Sequence, residues 1–206
     1  MALLNAPFGL RAIRYLNGAR WNGGTRTYFI PSSDTNAYAI GDPVKTLTGA
    51  ADAAGVSAVT LGVAGDGAVL RGVLHSLGGT VFGGPNTDPS SQFATIIPAT
   101  KTKGYYVQVV DDPMVIFEIM EFSGAGATNF TAADVGKNCN LKAGTNNGFI
   151  SGWVLDDTAV SATTSTRQVR LLGLKEVAGG SNAFGNYVVW LVDINNHELK
   201  AAVAGV

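Results

Sequence analysis

Apolar and polar residues along this chain alternate with a period of two far more often than with the period of a helix. No window carries apolar residues at i, i+3, i+4 and i+7 between caps without an interrupting Gly or Pro. The one helical signal is Thr131-Ala-Ala-Asp134-Val135-Gly136, where Thr131 can cap, Asp134 stands three residues on and Gly136 can stop the turn. Strand signals recur throughout. Tyr105–Val110 and Met114–Met120 are β-branched and aromatic, and Asp111-Asp112-Pro113 between them reads as the turn of a hairpin. In the second of these Val115, Phe117 and Ile119 share one face and Glu118 points to the other, a half-buried alternation. The run Asn186–Val192 is apolar on both faces and suits a central strand. Gln168–Leu172 alternates, and weaker strands fit Thr27–Ile30, Asp42–Leu47, Val56–Val63, Ala68–Leu74 and Gly148–Leu155. Turn signals at Asn22-Gly23, Asp66-Gly67 and Asn147-Gly148 punctuate them. The expected class is all-β, a β-sandwich or barrel.

Two stretches fit neither strand nor helix. Residues 1–26, with Pro7, Gly9, Gly18 and Asn22-Gly23-Gly24, read as an extended N-terminal arm, separable from a single β domain over 27–206. Residues 76–98 form a Gly/Pro/Ser-rich loop that nevertheless holds Phe82, Phe93, Ile96 and Ile97. Such a loop is either tucked under its own domain or inserted into a partner.

Composition sharpens this picture. The 206 residues are 46% hydrophobic, enough for a real core without disulfides. Gly stands at 27 positions and charged residues are 14%, against a usual share of roughly a quarter. So little charge suits a surface that spends its time against neighbours. A net charge of −1 gives no overall attraction to nucleic acid or anionic lipid. The charge is nonetheless segregated. Arg11, Arg14, Arg20 and Arg26 all precede the first acidic residue, Asp34, whereas residues 104–136 carry Asp111, Asp112, Glu118, Glu121 and Asp134 without a Lys or Arg. Either this is scattered solvated charge or the basic arm docks electrostatically on a partner. The N-terminal residues lack the basic and apolar regions of a signal peptide, and no apolar run spans a bilayer. The expectation is a soluble, cytoplasmically made protein.

Catalytic constellations are hard to assemble. His75 and His197 stand alone, without His or Cys at ligand spacing, and Cys139 has no nearby base. No Gly-rich stretch opens a helix as a phosphate cradle would. Asp111-Asp112 and Asp156-Asp157 are adjacent pairs, which a strand sends to opposite faces, so neither forms a carboxylate dyad. The expectation is no enzyme, no cofactor and no metal. Trp21 and Trp153 could line a sugar-binding face, while Trp190 reads as core.

The run Asn5-Ala-Pro-Phe-Gly-Leu-Arg11, continuing to Tyr15-Leu-Asn-Gly18, resembles the opening of the capsid cement (decoration) proteins of tailed bacteriophages. So do Tyr28-Phe-Ile-Pro-Ser-Ser33, Ile40-Gly-Asp-Pro-Val44, Asp111-Asp-Pro113 with Val115-Ile-Phe-Glu118, and Ile194-Asn-Asn-His-Glu-Leu199. Residues 76–98 and those after Leu199 match nothing in that family. The resemblance implies a β-sandwich or jelly-roll-like protein on the capsid exterior of a virion, assembled in the bacterial host cytoplasm. It also implies the major capsid protein and further copies of itself as partners, with no cofactor; a dimer is favoured over a trimer because self-complementary patches are the commonest solution. The interface expected on these grounds comprises Arg11, Arg14, Arg20, Trp21, Arg26, Phe82, Phe93 and Ile96. The rival readings are a virion-displayed glycan-binding β-sandwich and a head–tail or tail structural subunit.

Overall fold

Short β-branched and aromatic runs, each ended by Gly, Pro or an Asx turn, become thirteen strands among the described residues. They are β1 (Arg11–Tyr15), β2 (Arg26–Ile30), β3 (Tyr38–Ala39), β4 (Pro43–Ala51), β5 (Ser57–Leu61), β6 (Gly72–Ser76) and β7 (Ile96–Ile97), followed by β8 (Tyr105–Val110), β9 (Val115–Met120), β10 (Asn138–Lys142), β11 (Val154–Ser161), β12 (Val169–Leu174) and β13 (Val189–Ile194). The structure is a computed structural model and describes residues 4–78, 95–177, 180, 182–202 and 204–205. The fold is all-β. The helical signal at Thr131 becomes a single 3₁₀ turn, Ala132–Asp134, in which the Asp134 carboxylate accepts from the Thr131 amide at 2.8 Å and its hydroxyl at 2.9 Å. Among the described residues no helix is long and apolar enough to cross a membrane.

The strands form two main bodies. Six make a sheet in the order β1-β9-β13-β12-β10-β11, five close into a barrel in the order β2-β5-β4-β6-β8, and β3 pairs with β7. Both bodies use strand alternation to share a boundary. On β6, Val73 joins the core under the six-stranded sheet and Leu74 joins the core inside the barrel; on β8, Val110 goes to the first and Val107 and Val109 to the second. Leu61 touches both cores, so the two are continuous. As its apolar run requires, β13 lies inside the sheet, between β9 and β12.

Three sequence expectations change here. Strands β8 and β9 do not form a hairpin. β8 pairs with β2 and β6 in the barrel, and β9 pairs with β1 and β13 in the sheet. The Asp111-Asp112-Pro113 turn therefore carries the chain from one body to the other. It keeps its local chemistry, with the Asp112 carboxylate accepting from the Met114 amide at 2.8 Å. Second, β9 is not half-buried: all six residues are buried, Glu118 included. Third, part of the expected arm is a sheet strand. β1 is hydrogen-bonded to β9, and Leu10 beside it is a core residue at 2% exposure.

Candidate interaction face

The segment before β1 is held by a glycine contact. Gly9 has φ +68°, and a Cβ there would lie 2.3 Å from the Gly41 carbonyl oxygen and 2.5 Å from Ser151 Cβ. Gly41 has φ +94°, and its Cβ would meet the Phe8 carbonyl oxygen at 2.4 Å. The Phe8–Gly9 and Gly41 backbones thus pack directly, with the Ser151 side chain against both glycines. Leu10 N–H donates to the Gly41 carbonyl at 2.9 Å, and Ser151 N–H donates to the Ile40 carbonyl at 2.9 Å. This junction sets Phe8, Leu10, Ile40 and Ile150 around one cavity of ≈ 440 Å³, closed on its other side by Trp21, Val73 and His75. Trp21 and His75 meet edge to face, ring centroids 4.8 Å apart. Partial burial lowers the His75 pKa by disfavouring its charged form.

Apolar surface continues beyond the cavity. Ile40 is 38% exposed and Phe149, beside its bridge partner Ile150, is 64% exposed. Ile96 pairs with Ala39, next to Ile40, and the Thr95 hydroxyl is 3.5 Å from the Gly148 carbonyl. The Phe149 turn is locally encoded: Asn147 Oδ1 accepts from the amides of Phe149 and Ile150, each at 3.0 Å, and Gly148 has φ +89°. Of this face the sequence singled out Trp21 and Ile96; a bulky aromatic immediately after an Asn-Gly turn is the signal that could have added Phe149. Ile40 and His75 carried none.

The expected interface residues fall into separate places. Trp21 and Ile96 belong to this apolar face, and Arg11 lines its cavity while stacking on Phe8 at 4.8 Å. Arg14 and Arg20 are exposed and stand opposite one another through a backbone bridge. Arg26 lies apart on β2, 3.5 Å from Asp111. Phe82 and Phe93 lie outside the described residues.

Segregation of charge along the chain is largely cancelled within the fold. Arg11 pairs with Glu118, and Arg26 and Arg71 converge on Asp111, so part of the basic segment docks on the chain's own acidic middle. Tyr28 donates to Asp111 at 2.6 Å and accepts from Arg71 Nε at 2.7 Å; burial and the Asp111 charge push its phenol up to about 12.

The isolated reactive groups are packed. Cys139 is fully buried, which raises its thiol pKa far above the usual range. Burial, with the charges of Lys200 and Arg71, lowers His197 to about 4, and its Nδ1 accepts from the Leu199 amide at 3.0 Å. Each Asp pair splits. Asp111 and Asp157 are buried, whereas Asp112 and Asp156 lie nearer the surface and accept from residues two positions on. Trp153 is buried in the core beneath the sheet, whereas Trp21 lines the cavity. Among the described residues no cluster of His, Cys, Asp and Glu could hold a metal ion. No protein-family model matches the chain, and neither a curated protein nor a solved structure matches it.

Proposed function

We propose that the protein is a structural cement (decoration) protein of a tailed-phage capsid. It binds the outside of the assembled shell and bridges neighbouring major capsid protein subunits. The observation that carries this reading is the contiguous apolar surface of Ile40, Ile96, Phe149 and Ile150 around the Trp21 cavity. Exposed apolar patches of this kind mark protein–protein contacts. The low charge content and the resemblance of five chain segments to cement proteins point the same way.

The mechanism is physical, with no bond made or broken. A site composed from two capsid subunits exists only when they are correctly adjacent, so binding it stabilises the shell over its parts by mass action. A β-sandwich or jelly-roll-like disposition of the sheet and barrel belongs to this proposal, as does self-association, a dimer before a trimer. An isologous dimer suits a two-fold junction, and gripping several subunits at once raises avidity by roughly 10²–10⁴ without new contacts.

The test uses emptied, undecorated capsids. The wild-type chain should bind them and raise the temperature at which shells rupture. Phe149→Asp, at an exposed turn, should fold normally and lower occupancy by about tenfold or more. A folded Phe149→Asp that occupies capsids like wild type removes this face from the proposal. If no capsid binds the wild-type chain, the cement reading fails. Binding on a glycan array with no capsid binding would favour the sugar-binding alternative, for which Trp21 remains the one candidate platform.

A further inference from the structure

Three Asn-Gly steps stand in the sequence, Asn17-Gly18, Asn22-Gly23 and Asn147-Gly148, and each asparagine is exposed. In all three the Asn Oδ1 accepts from the amide two residues on, that of Ala19 at 3.0 Å, Gly24 at 3.1 Å and Phe149 at 3.0 Å. This turn is local and does not tell them apart. Their surroundings do. Asn22 Oδ1 also accepts from the Tyr15 hydroxyl on β1 at 2.9 Å, and Asn147 Oδ1 from the Ile150 amide at 3.0 Å. The glycine amides differ too. Gly18 N–H donates to the Tyr15 carbonyl at 2.9 Å and Gly148 N–H to Asn146 Oδ1 at 3.2 Å. Gly23 N–H donates to no described residue, and its glycine stands in open space, with nothing within 4 Å of where a Cβ would lie.

An Asn-Gly step can convert itself, because the Gly nitrogen follows the Asn carboxamide in the chain and no Cβ hinders its approach. The Gly N–H gives its proton to hydroxide and the nitrogen's electron pair bonds to Asn Cγ. The Cγ–Nδ2 bond breaks, and ammonia leaves with a proton from water. Water then opens the five-membered imide at the side-chain carbonyl, giving aspartate, or at the backbone carbonyl, giving isoaspartate. In the first step negative charge gathers on Oδ1, where two hydrogen-bond donors stabilise it. A glycine N–H already bonded must first give up that bond. Among the described residues Asn22-Gly23 alone has both advantages. Asn147 has the two donors without the free amide, and Asn17 has neither.

We infer that Asn22 is a self-modification site, deamidating ahead of Asn147 and Asn17, with the Tyr15 hydroxyl as its positioned donor. The aspartate product suits the same turn, since Tyr15 O–H and Gly24 N–H then donate to a carboxylate in charge-assisted bonds. Isoaspartate instead inserts a methylene into the backbone beside Trp21. Because Trp21 lines the apolar cavity, the new charge arises at the margin of that face. The inference does not rest on the cement reading.

The test is timed incubation of the full chain at pH 8, followed by tryptic digestion and mass spectrometry. Arg14, Arg20, Arg26, Lys142 and Arg167 cut the three sites into separate peptides, 15–20, 21–26 and 143–167. The mass gain of amide-to-acid conversion should accumulate in peptide 21–26 at least about threefold faster than in the other two. Tyr15→Phe, which keeps the ring and removes the donor, should slow Asn22 by about threefold or more in a chain that still melts cooperatively. Asn146→Ala frees Gly148 N–H, so it should speed Asn147 by a similar factor, and this holds whether or not the Tyr15 variant folds. In urea the three wild-type rates should converge to within about threefold, because the order comes from the folded structure. Equal rates in the folded chain, a faster Asn147 or Asn17, or the same order persisting in urea would each overturn the inference. So would a folded Tyr15→Phe that deamidates as fast as wild type, or an Asn146→Ala that leaves Asn147 unchanged. No capsid enters the assay, so its outcome is separate from that of the cement reading.

Discussion

Glu121 is a carboxylate in the wrong medium for its charge. It is 1% exposed, its Oε1 accepts from the Phe130 amide at 2.7 Å, and its Oε2 accepts from Trp190 Nε1 at 2.8 Å. Burial raises its pKa to about 7 despite these two bonds, with the nearby Asp157 and Asp134 charges adding to the rise. Asp42 behaves alike, raised to about 6 by burial against bonds from Ser151 and Ala39. A carboxyl whose folded pKa lies above its unfolded one holds its proton more tightly when folded. Its contribution to stability is complete below the unfolded value, near 4.5 for Glu121, and is lost as pH rises through about 7. Stability should fall by on the order of 3 kcal/mol across that window from Glu121. His197, lowered to about 4, contributes the opposite slope over an overlapping window, so the test is the difference between urea melts of the wild type and of Glu121→Gln at pH 4.5, 6 and 8. A stability difference between the two proteins that does not change with pH would contradict it. None of this was legible in sequence, where Glu121 counts simply as one more charge in an acidic stretch. Lys101 is the basic counterpart: its buried ammonium donates to the Asp34 and Asn36 carbonyls at 2.6 Å, and burial lowers its pKa.

At the scale of elements, the junction of β8 and β9 matters most, because the chain passes there from barrel to sheet. Asp111 clamps that passage, accepting from Tyr28 on β2 and pairing with Arg71 beside β6. Its side chain is 6% exposed and that of Arg71 is 17% exposed, so removing one partner strands a charge. Asp111→Ala should cost about 3–5 kcal/mol, whereas Asp112→Ala, which removes an exposed turn bond, should cost about 1 kcal/mol. Chemical denaturation of both variants measures the difference, and equal costs would show that the clamp contributes nothing beyond its turn. The sequence fits a hairpin here because Asp-Asp-Pro specifies a reversal, and a reversal is what forms. Which sheet the next strand joins depends on β1 and β13, neither of which is near it in the chain.

For the whole molecule, the N-terminal segment decides between a detachable arm and an integral part. Leu10 is in the core, Ala12, Tyr15 and Trp21 pack against it, and Arg11 neutralises one side of buried Glu118. Deleting residues 1–20 should therefore abolish cooperative folding instead of releasing an intact β domain. Loss of near-UV dichroism and of a sharp thermal transition would record it. A truncated chain that melts cooperatively near the wild-type temperature would restore the separable arm. The same contacts make the two cores one unit, since Leu61 belongs to both and β6 and β8 feed both. Wild-type unfolding should accordingly be a single transition.

What the sequence by itself determined is what short-range physics controls. Period-two patterning gave the all-β class and most strand positions, Asx and Gly residues gave the turns, and Thr131 with Asp134 gave the helical turn at Ala132–Asp134. Each of these rests on residues a few positions apart. The low charge hinted at a surface that spends its time against neighbours. Tertiary structure alone decided which strands pair, that β9 is buried on both faces, and that a basic segment meets an acidic one inside the chain. Arg11 and Glu118 are 107 residues apart in sequence, and no local preference couples them. Their meeting is set by the register of β1 on β9, which the packing of Leu10, Ala12 and Tyr15 fixes only when the whole core closes.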